Sequence, residues 1–142
     1  LDTLAARDLF DRYESDQSVE NLDWINETAN KAQGQVLWSA DNQDGVLRMT
    51  GLQANDPTKS RYQLWIFDDT RTQDGRHLYP VDGGVFDVAE GESGVGEAFV
   101  RFSSRLPVGD AFAFVVTEEA PGGVVSERSR IVWAAGSVDK IR

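Results

Sequence analysis

From Gly34 onward the chain breaks into short runs of β-branched and aromatic residues, each closed by residues suited to turns. This rhythm limits the fold more than any single motif does. The runs are Gln35–Ala40, Val46–Gly51, Arg61–Asp68, Gly84–Val88, Glu97–Phe102, Ala111–Glu118 and Arg130–Ala134. Between them stand Asp44-Gly45, Asn55-Asp56-Pro57, Asp74-Gly75, Asp82-Gly83-Gly84, Pro107-Val108-Gly109-Asp110 and Pro121-Gly122-Gly123. Such residues tolerate left-handed or proline-fixed backbone and so reverse the chain. About seven strands at this spacing predict a mainly β fold, an antiparallel Ig-like β-sandwich. Alternation supports it: Tyr62, Leu64 and Ile66 point one way, and Gln63, Trp65 and Phe67 the other. Phe112, Phe114 and Val116 share a face, with Ala111, Ala113, Val115 and Thr117 opposite. Runs apolar on both faces read as central strands covered on each side. Trp65, Phe112 or Phe114, and Trp133 are the expected core.

The first thirty residues are different in kind. Leu1–Asn30 holds eight acids and two bases and has neither Gly nor Pro. Leu1, Leu4, Ala5, Leu9 and Tyr13 recur at helical spacing, as do Leu22, Ile25 and Ala29. Ser15-Asp16-Gln17-Ser18 lies between and offers N-cap residues to a second helix. The expectation is an acidic helical segment over 1–33, a β-domain over 34–136 and a tail over 137–142. Helices this short are marginal in water unless they pack, so the segment should dock on the β-domain.

With 142 residues the chain has the length of one domain. Its net charge of −10 would repel a phosphate backbone or an anionic lipid surface, so nucleic acid is excluded as a partner. There is no Cys, hence no disulfide, thiol nucleophile or Cys-based metal site. No apolar run reaches the roughly 18 residues of a membrane span, and no signal peptide is visible. The chain begins at Leu1 rather than Met, which reads as a piece of something longer.

A search for chemistry yields no complete set. His77, the sole histidine, falls in a loop sequence and is expected to be solvated. Gly91-Glu92-Ser93-Gly94-Val95 lacks the last Gly of a nucleophile elbow, and Gly94-Val95-Gly96 lacks the third Gly of a phosphate loop. Asp41-Asn42-Gln43-Asp44-Gly45 is half a calcium loop without the terminal Glu, and is better read as a turn. Asp68-Asp69 closes a strand and reads as turn chemistry. Of the tryptophans, Trp38, Trp65 and Trp133 sit in apolar runs and should be core; Trp24 lies outside them and is the least determined. The chain is therefore read as a non-enzyme with no catalytic, cofactor-binding or metal-binding residues and no cofactor.

Several of these runs resemble the C-terminal domain of the anti-sigma-K factor (RskA-like) family. Tyr62-Gln63-Leu64-Trp65-Ile66-Phe67-Asp68 is similar to its Tyr-Gln-Leu-Trp strand, approached through Gly51-Leu52 and Asp56-Pro57. Val81-Asp82-Gly83-Gly84-Val85-Phe86 falls where the family has a Gly-x-Phe strand. Phe112-Ala113-Phe114-Val115-Val116-Thr117-Glu118 resembles its Phe-Ala-Val-Thr-x-Glu strand. Pro121-Gly122-Gly123 matches a Pro-x-Gly-Gly turn less one residue, and Ile131–Gly136 takes the place of the closing strand. Two departures stand out. Ser126–Arg130 replaces a Pro-Thr-Gly-Pro segment, and the acidic segment Leu1–Asn30 lies outside the shared pattern.

The resemblance implies a single-pass bacterial membrane protein with this domain on the extracytoplasmic, periplasmic face. It implies an extracytoplasmic-function sigma factor as partner, held by a cytoplasmic domain that this chain lacks, and release through regulated proteolysis by a site-specific protease. The alternative is a carbohydrate- or cell-wall-binding β-sandwich module; a small hydrolase stands third.

Overall fold

The computed structural model describes residues 3–25, 33–88, 97–121 and 130–141. One helix, α1 (Thr3–Glu14), precedes eight strands: β1 (Glu20–Ile25), β2 (Gln33–Ser39), β3 (Asp44–Thr50), β4 (Arg61–Asp68), β5 (Val81–Phe86), β6 (Glu97–Ser103), β7 (Ala111–Glu119) and β8 (Arg130–Gly136). All pairings are antiparallel, and the strands form one sheet in the order β5-β4-β7-β8-β1-β2-β3-β6. Where about seven strands in two facing sheets were expected, hydrogen bonding thus runs through eight strands in a single, nearly closed sheet. The join is β1. It pairs with β2 along Glu20–Asp23 and with β8 through Trp24 and Ile25.

That strand corrects the helical reading of Leu22, Ile25 and Ala29. Leu22 and Trp24 turn toward the interior, while Asn21 and Asp23 before and between them are exposed, a period of two and not 3.6. Ala29 lies outside the described residues. Asp16 does not cap a second helix. Its carboxylate accepts the backbone N–H and the hydroxyl of Ser18 at 2.9 and 2.7 Å, and the resulting turn sends the chain from α1 into β1.

The interior is built from one face of nearly every strand: Val36 and Trp38, Leu47 and Met49, Tyr62, Leu64 and Ile66, Phe102, Phe114 and Val116. At its centre Trp38 stacks on Phe102 with centroids 5.9 Å apart, and Phe114 meets both rings at 6.0 and 6.1 Å. The alternation read for β4 holds. That read for β7 breaks at Phe112. Phe67 pairs with Ala113 and Asp68 with Ala111, so Phe112 is an extra, bulged residue. Ala111 therefore faces the interior with Phe114, and Phe112 turns outward.

Two further clusters lie on the outside of the sheet. Ala6, Leu9, Phe10 and Tyr13 of α1 bury themselves on Leu37, Val46 and Phe99, with Phe10 edge-on to Phe99 at 5.4 Å. The helix docks, as its amphipathic pattern requires. Tyr13 donates to Asp44 at 2.6 Å and accepts from the Asn42 amide at 2.8 Å, which pins the helix to the β2–β3 turn. On β4 and β7, Trp65, Phe67, Phe112, Ala113 and Val115 form the other cluster, against which Ile141 packs. Trp65 is wholly buried, and its indole N–H donates to Thr117 Oγ1 at 2.9 Å. The Trp133 side chain is outside the described residues.

Candidate functional site

Asp68, at the end of β4, organises two of the loops at one end of the sheet. Its side chain is 1% exposed. The carboxylate accepts backbone N–H bonds from Thr70, Gly109 and Asp110 at 3.0, 2.9 and 2.9 Å and the Thr70 hydroxyl at 2.8 Å. Burial works to raise its pKa, but the donated bonds from Gly109, Thr70 and Asp110 outweigh it and hold the group below the ordinary carboxylate range. Asp68 therefore ties the β4–β5 loop to the β6–β7 loop. Gln43, at a left-handed position in the β2–β3 turn, anchors the second loop from the far side. Its side chain accepts the Val108 N–H at 2.6 Å and donates to the Val108 carbonyl at 3.0 Å.

Between those loops lies a cavity of about 540 Å³ lined by Arg71, Tyr79, Pro80, Val81, Asp82, Arg105 and Leu106. Tyr79 is 55% exposed, Leu106 53% and neighbouring Leu78 40%; they are the large apolar side chains that stand exposed among the described residues. Tyr79 and Leu106 line this one cleft, and exposed apolar side chains gathered in a cleft are a common feature of binding grooves. Arg71 is held at the rim. It donates to the Pro107 carbonyl at 2.8 Å and lies 3.5 Å from Asp68.

The groove continues into a seam. Among the described residues β5 and β6 end the sheet, so each has a ladder partner on one side only. Their other edges face a second cavity of about 340 Å³, lined by Asp44, Gly83, Gly84, Val85, Arg101, Phe102, Ser103 and Arg105. One backbone bond, Arg105 N–H to the Asp82 carbonyl at 3.1 Å, ties the end of this seam. The acids here are already engaged: Asp82 accepts from Gln63 and from the Gly84 N–H, and Asp44 from Tyr13.

A separate cluster joins Asp69, His77 and Lys140. Asp69 contacts His77 Nε2 and Lys140 Nζ, each at 2.9 Å, and these two partners lower its pKa, Lys140 first. His77 is not the solvated loop residue expected. Its side chain is 5% exposed and its ring lies 4.8 Å from that of Phe112. Lys140 stands over the same Phe112 ring at 5.0 Å. The bulge that turns Phe112 outward thus creates the seat for His77, and the cluster fastens the single-turn 3₁₀ helix Val138–Lys140 to the β4–β5 loop.

Of Asp41–Gly45, Asp41, Asn42 and Gln43 lie in the β2–β3 turn, while Asp44 and Gly45 open β3, with Ser39 opposite Asp44. Trp24, Trp38 and Trp65 are all buried, so they form no exposed aromatic platform. The Gly91–Val95 and Gly94–Gly96 stretches, and Gly122-Gly123, lie outside the described residues. Among the described residues no three His, Cys, Asp or Glu side chains are grouped as metal ligands, and no helix is long and apolar enough to cross a membrane. Sequence reading missed the groove. Its one signal was large apolar residues beside prolines, with arginines close by: Leu78-Tyr79-Pro80 and Arg105-Leu106-Pro107.

Fold and surface define a helix-capped antiparallel β-domain whose open feature is a groove running into a sheet seam. The chain belongs to the family described as anti-sigma-K factor RskA, C-terminal, whose model matches residues 3–129. The match begins at Thr3, so it takes in α1 and β1, which the resemblance had left outside the shared pattern. No curated protein and no solved structure matches the chain. The family is one of anti-sigma factor regulatory domains, membrane-associated in general, with a sigma factor as the general partner.

Proposed function

We propose that this chain is the non-enzymatic, extracytoplasmic domain of a membrane-anchored anti-sigma factor that governs an extracytoplasmic-function sigma factor through regulated proteolysis. The observation that carries the reading is the family match over residues 3–129. In this reading a membrane helix precedes Leu1 and the sigma factor is held on the other side of the membrane. The net charge of −10 then keeps the domain off anionic head groups.

The docked helix supports a gate. α1 is the first described element and is fastened by four buried side chains and by Tyr13 to Asp44. Its release would bare the chain next to the membrane to a site-specific protease. A fusion of β-lactamase after Arg142 of the full-length protein tests the placement. Resistance to ampicillin supports it, and sensitivity with the fusion stably expressed rejects it.

A further inference from the structure

The seam and the groove form one continuous surface, because Asp82 and Arg105 border both. Along it lie, among the described residues, two strand edges without a ladder partner, the two exposed apolar side chains Tyr79 and Leu106, and three arginines. The two edges face each other across the seam, and a strand edge without a ladder partner is a template for another extended chain. The charge is also out of keeping with the rest of the molecule. Arg71, Arg101 and Arg105 line the two cavities against Asp44 and Asp82, in a chain whose net charge is −10. Arg101 and Arg105 are exposed and form no ion pair among the described residues, whereas Arg48 and Arg61 are paired with Glu97 and Asp87. The two acids are spent within the domain, Asp82 on Gln63 and Gly84 and Asp44 on Tyr13.

We infer that the β5–β6 seam and the adjoining Tyr79–Leu106 groove bind an extended acidic peptide segment of a protein partner. The segment runs along the free strand edges, seats one large apolar side chain against Tyr79, Val81 and Leu106, and places carboxylates on Arg101 and Arg105. Strand addition supplies affinity through the backbone, the groove selects the apolar residue, and the arginines select its charge. An acidic polysaccharide could use the arginines but not the strand edges, so the peptide is the occupant the surface favours. The inference does not depend on the regulatory reading, since a domain can capture a peptide whatever it controls.

The test is to pan a random dodecapeptide display library on the 142-residue chain and measure the selected peptides by fluorescence anisotropy. The expected selection is rich in Asp and Glu around one Leu, Phe or Ile. The double variant R101E/R105E should weaken binding at least tenfold, and so should L106S. Both sites are exposed, and an unchanged melting temperature verifies the fold. A copy of the selected peptide methylated at alternate backbone nitrogens should also lose binding, because it cannot complete a ladder. In amide NMR spectra the shifts should concentrate on Gly83–Val85 and Arg101–Ser103. Several results would overturn the proposal: selection of basic or uncharged sequences, no selection, equal binding by R101E/R105E, full binding by the methylated peptide, or binding of polygalacturonate alone. Self-association of the chain through this same surface would likewise overturn it, by showing that a second copy is the occupant.

Discussion

Replacing Asp68 by Ala tests the claim that one buried carboxylate builds the loop end of this domain. The substitution removes the acceptor of three backbone N–H groups and one hydroxyl. Hydrogen bonds to a charged group contribute about 1.5–3 kcal/mol each. Thr70, Gly109 and Asp110 are exposed residues, so water can reach part of what is lost, and the low end of that range applies. Four bonds at that low end come to about 6 kcal/mol, and water reaching the freed groups reduces the expected cost to about 3–5 kcal/mol, close to that of breaking a buried charge pair. Followed by tryptophan fluorescence in urea, this shifts the midpoint by about 2 M for a slope of roughly 2 kcal/mol/M.

The pH dependence has a definite sign. Asp68 has a depressed folded pKa, so its contribution is complete above the unfolded value of about 3.9 and is lost as pH falls through the lower folded value. The wild type should lose this contribution below about pH 4. Asp68→Asn has no proton to gain there, and should lack that part of the acid slope while starting from lower stability. A loss below about 1 kcal/mol for Asp68→Ala, or an unchanged acid slope for Asp68→Asn, would refute the reasoning.

Trp65→Ala should cost about 3–5 kcal/mol, since a wholly buried indole leaves a cavity and Thr117 loses its donor; urea unfolding measures it. Phe10→Ala should loosen α1, so that amides through Tyr13 exchange with deuterium markedly faster than in the wild type while those of β4 do not. Gly34→Ala should destabilise strongly, because Gly34 has φ of 135° and a Cβ there would run into the Arg48 carbonyl oxygen; a thermal melt reads the effect. Adding EDTA to the purified domain should leave its melting temperature within a degree or so, and a fall of several degrees would reveal a bound metal.

The strands with the strongest period-two pattern were legible in the sequence. β4 falls on Arg61–Asp68 as read, because both of its faces are buried and each residue carries a signal. α1 was legible in part: Leu9 and Tyr13, read at helical spacing, are buried in the docked face, whereas Ala6 and Phe10 complete that face and Ala5 is only half-buried. β1 was not. Six residues with two inward side chains carry too short a pattern to separate from a helix, and acidic neighbours made the helical reading look continuous. The outward turn of Phe112 was also illegible, since a bulge is fixed by the partner strand and leaves no mark in its own. The site shows the same limit. Asp68 looked like ordinary turn chemistry, and its importance comes from donors about forty residues away in the β6–β7 loop. The groove needs Tyr79 and Leu106, from two different loops, to line one cavity, an arrangement that no local pattern encodes.

The central claim is that this domain regulates a sigma factor without holding it. A transcriptional reporter of that sigma factor tests it most directly, compared between cells with the full-length protein and cells whose copy ends just before Leu1. The account predicts that the shortened protein still binds the sigma factor in pull-downs, while reporter output departs severalfold from that of the full-length strain and no longer changes with growth conditions. Identical reporter output in the two strains under every condition, or loss of sigma binding in the shortened protein, would contradict it.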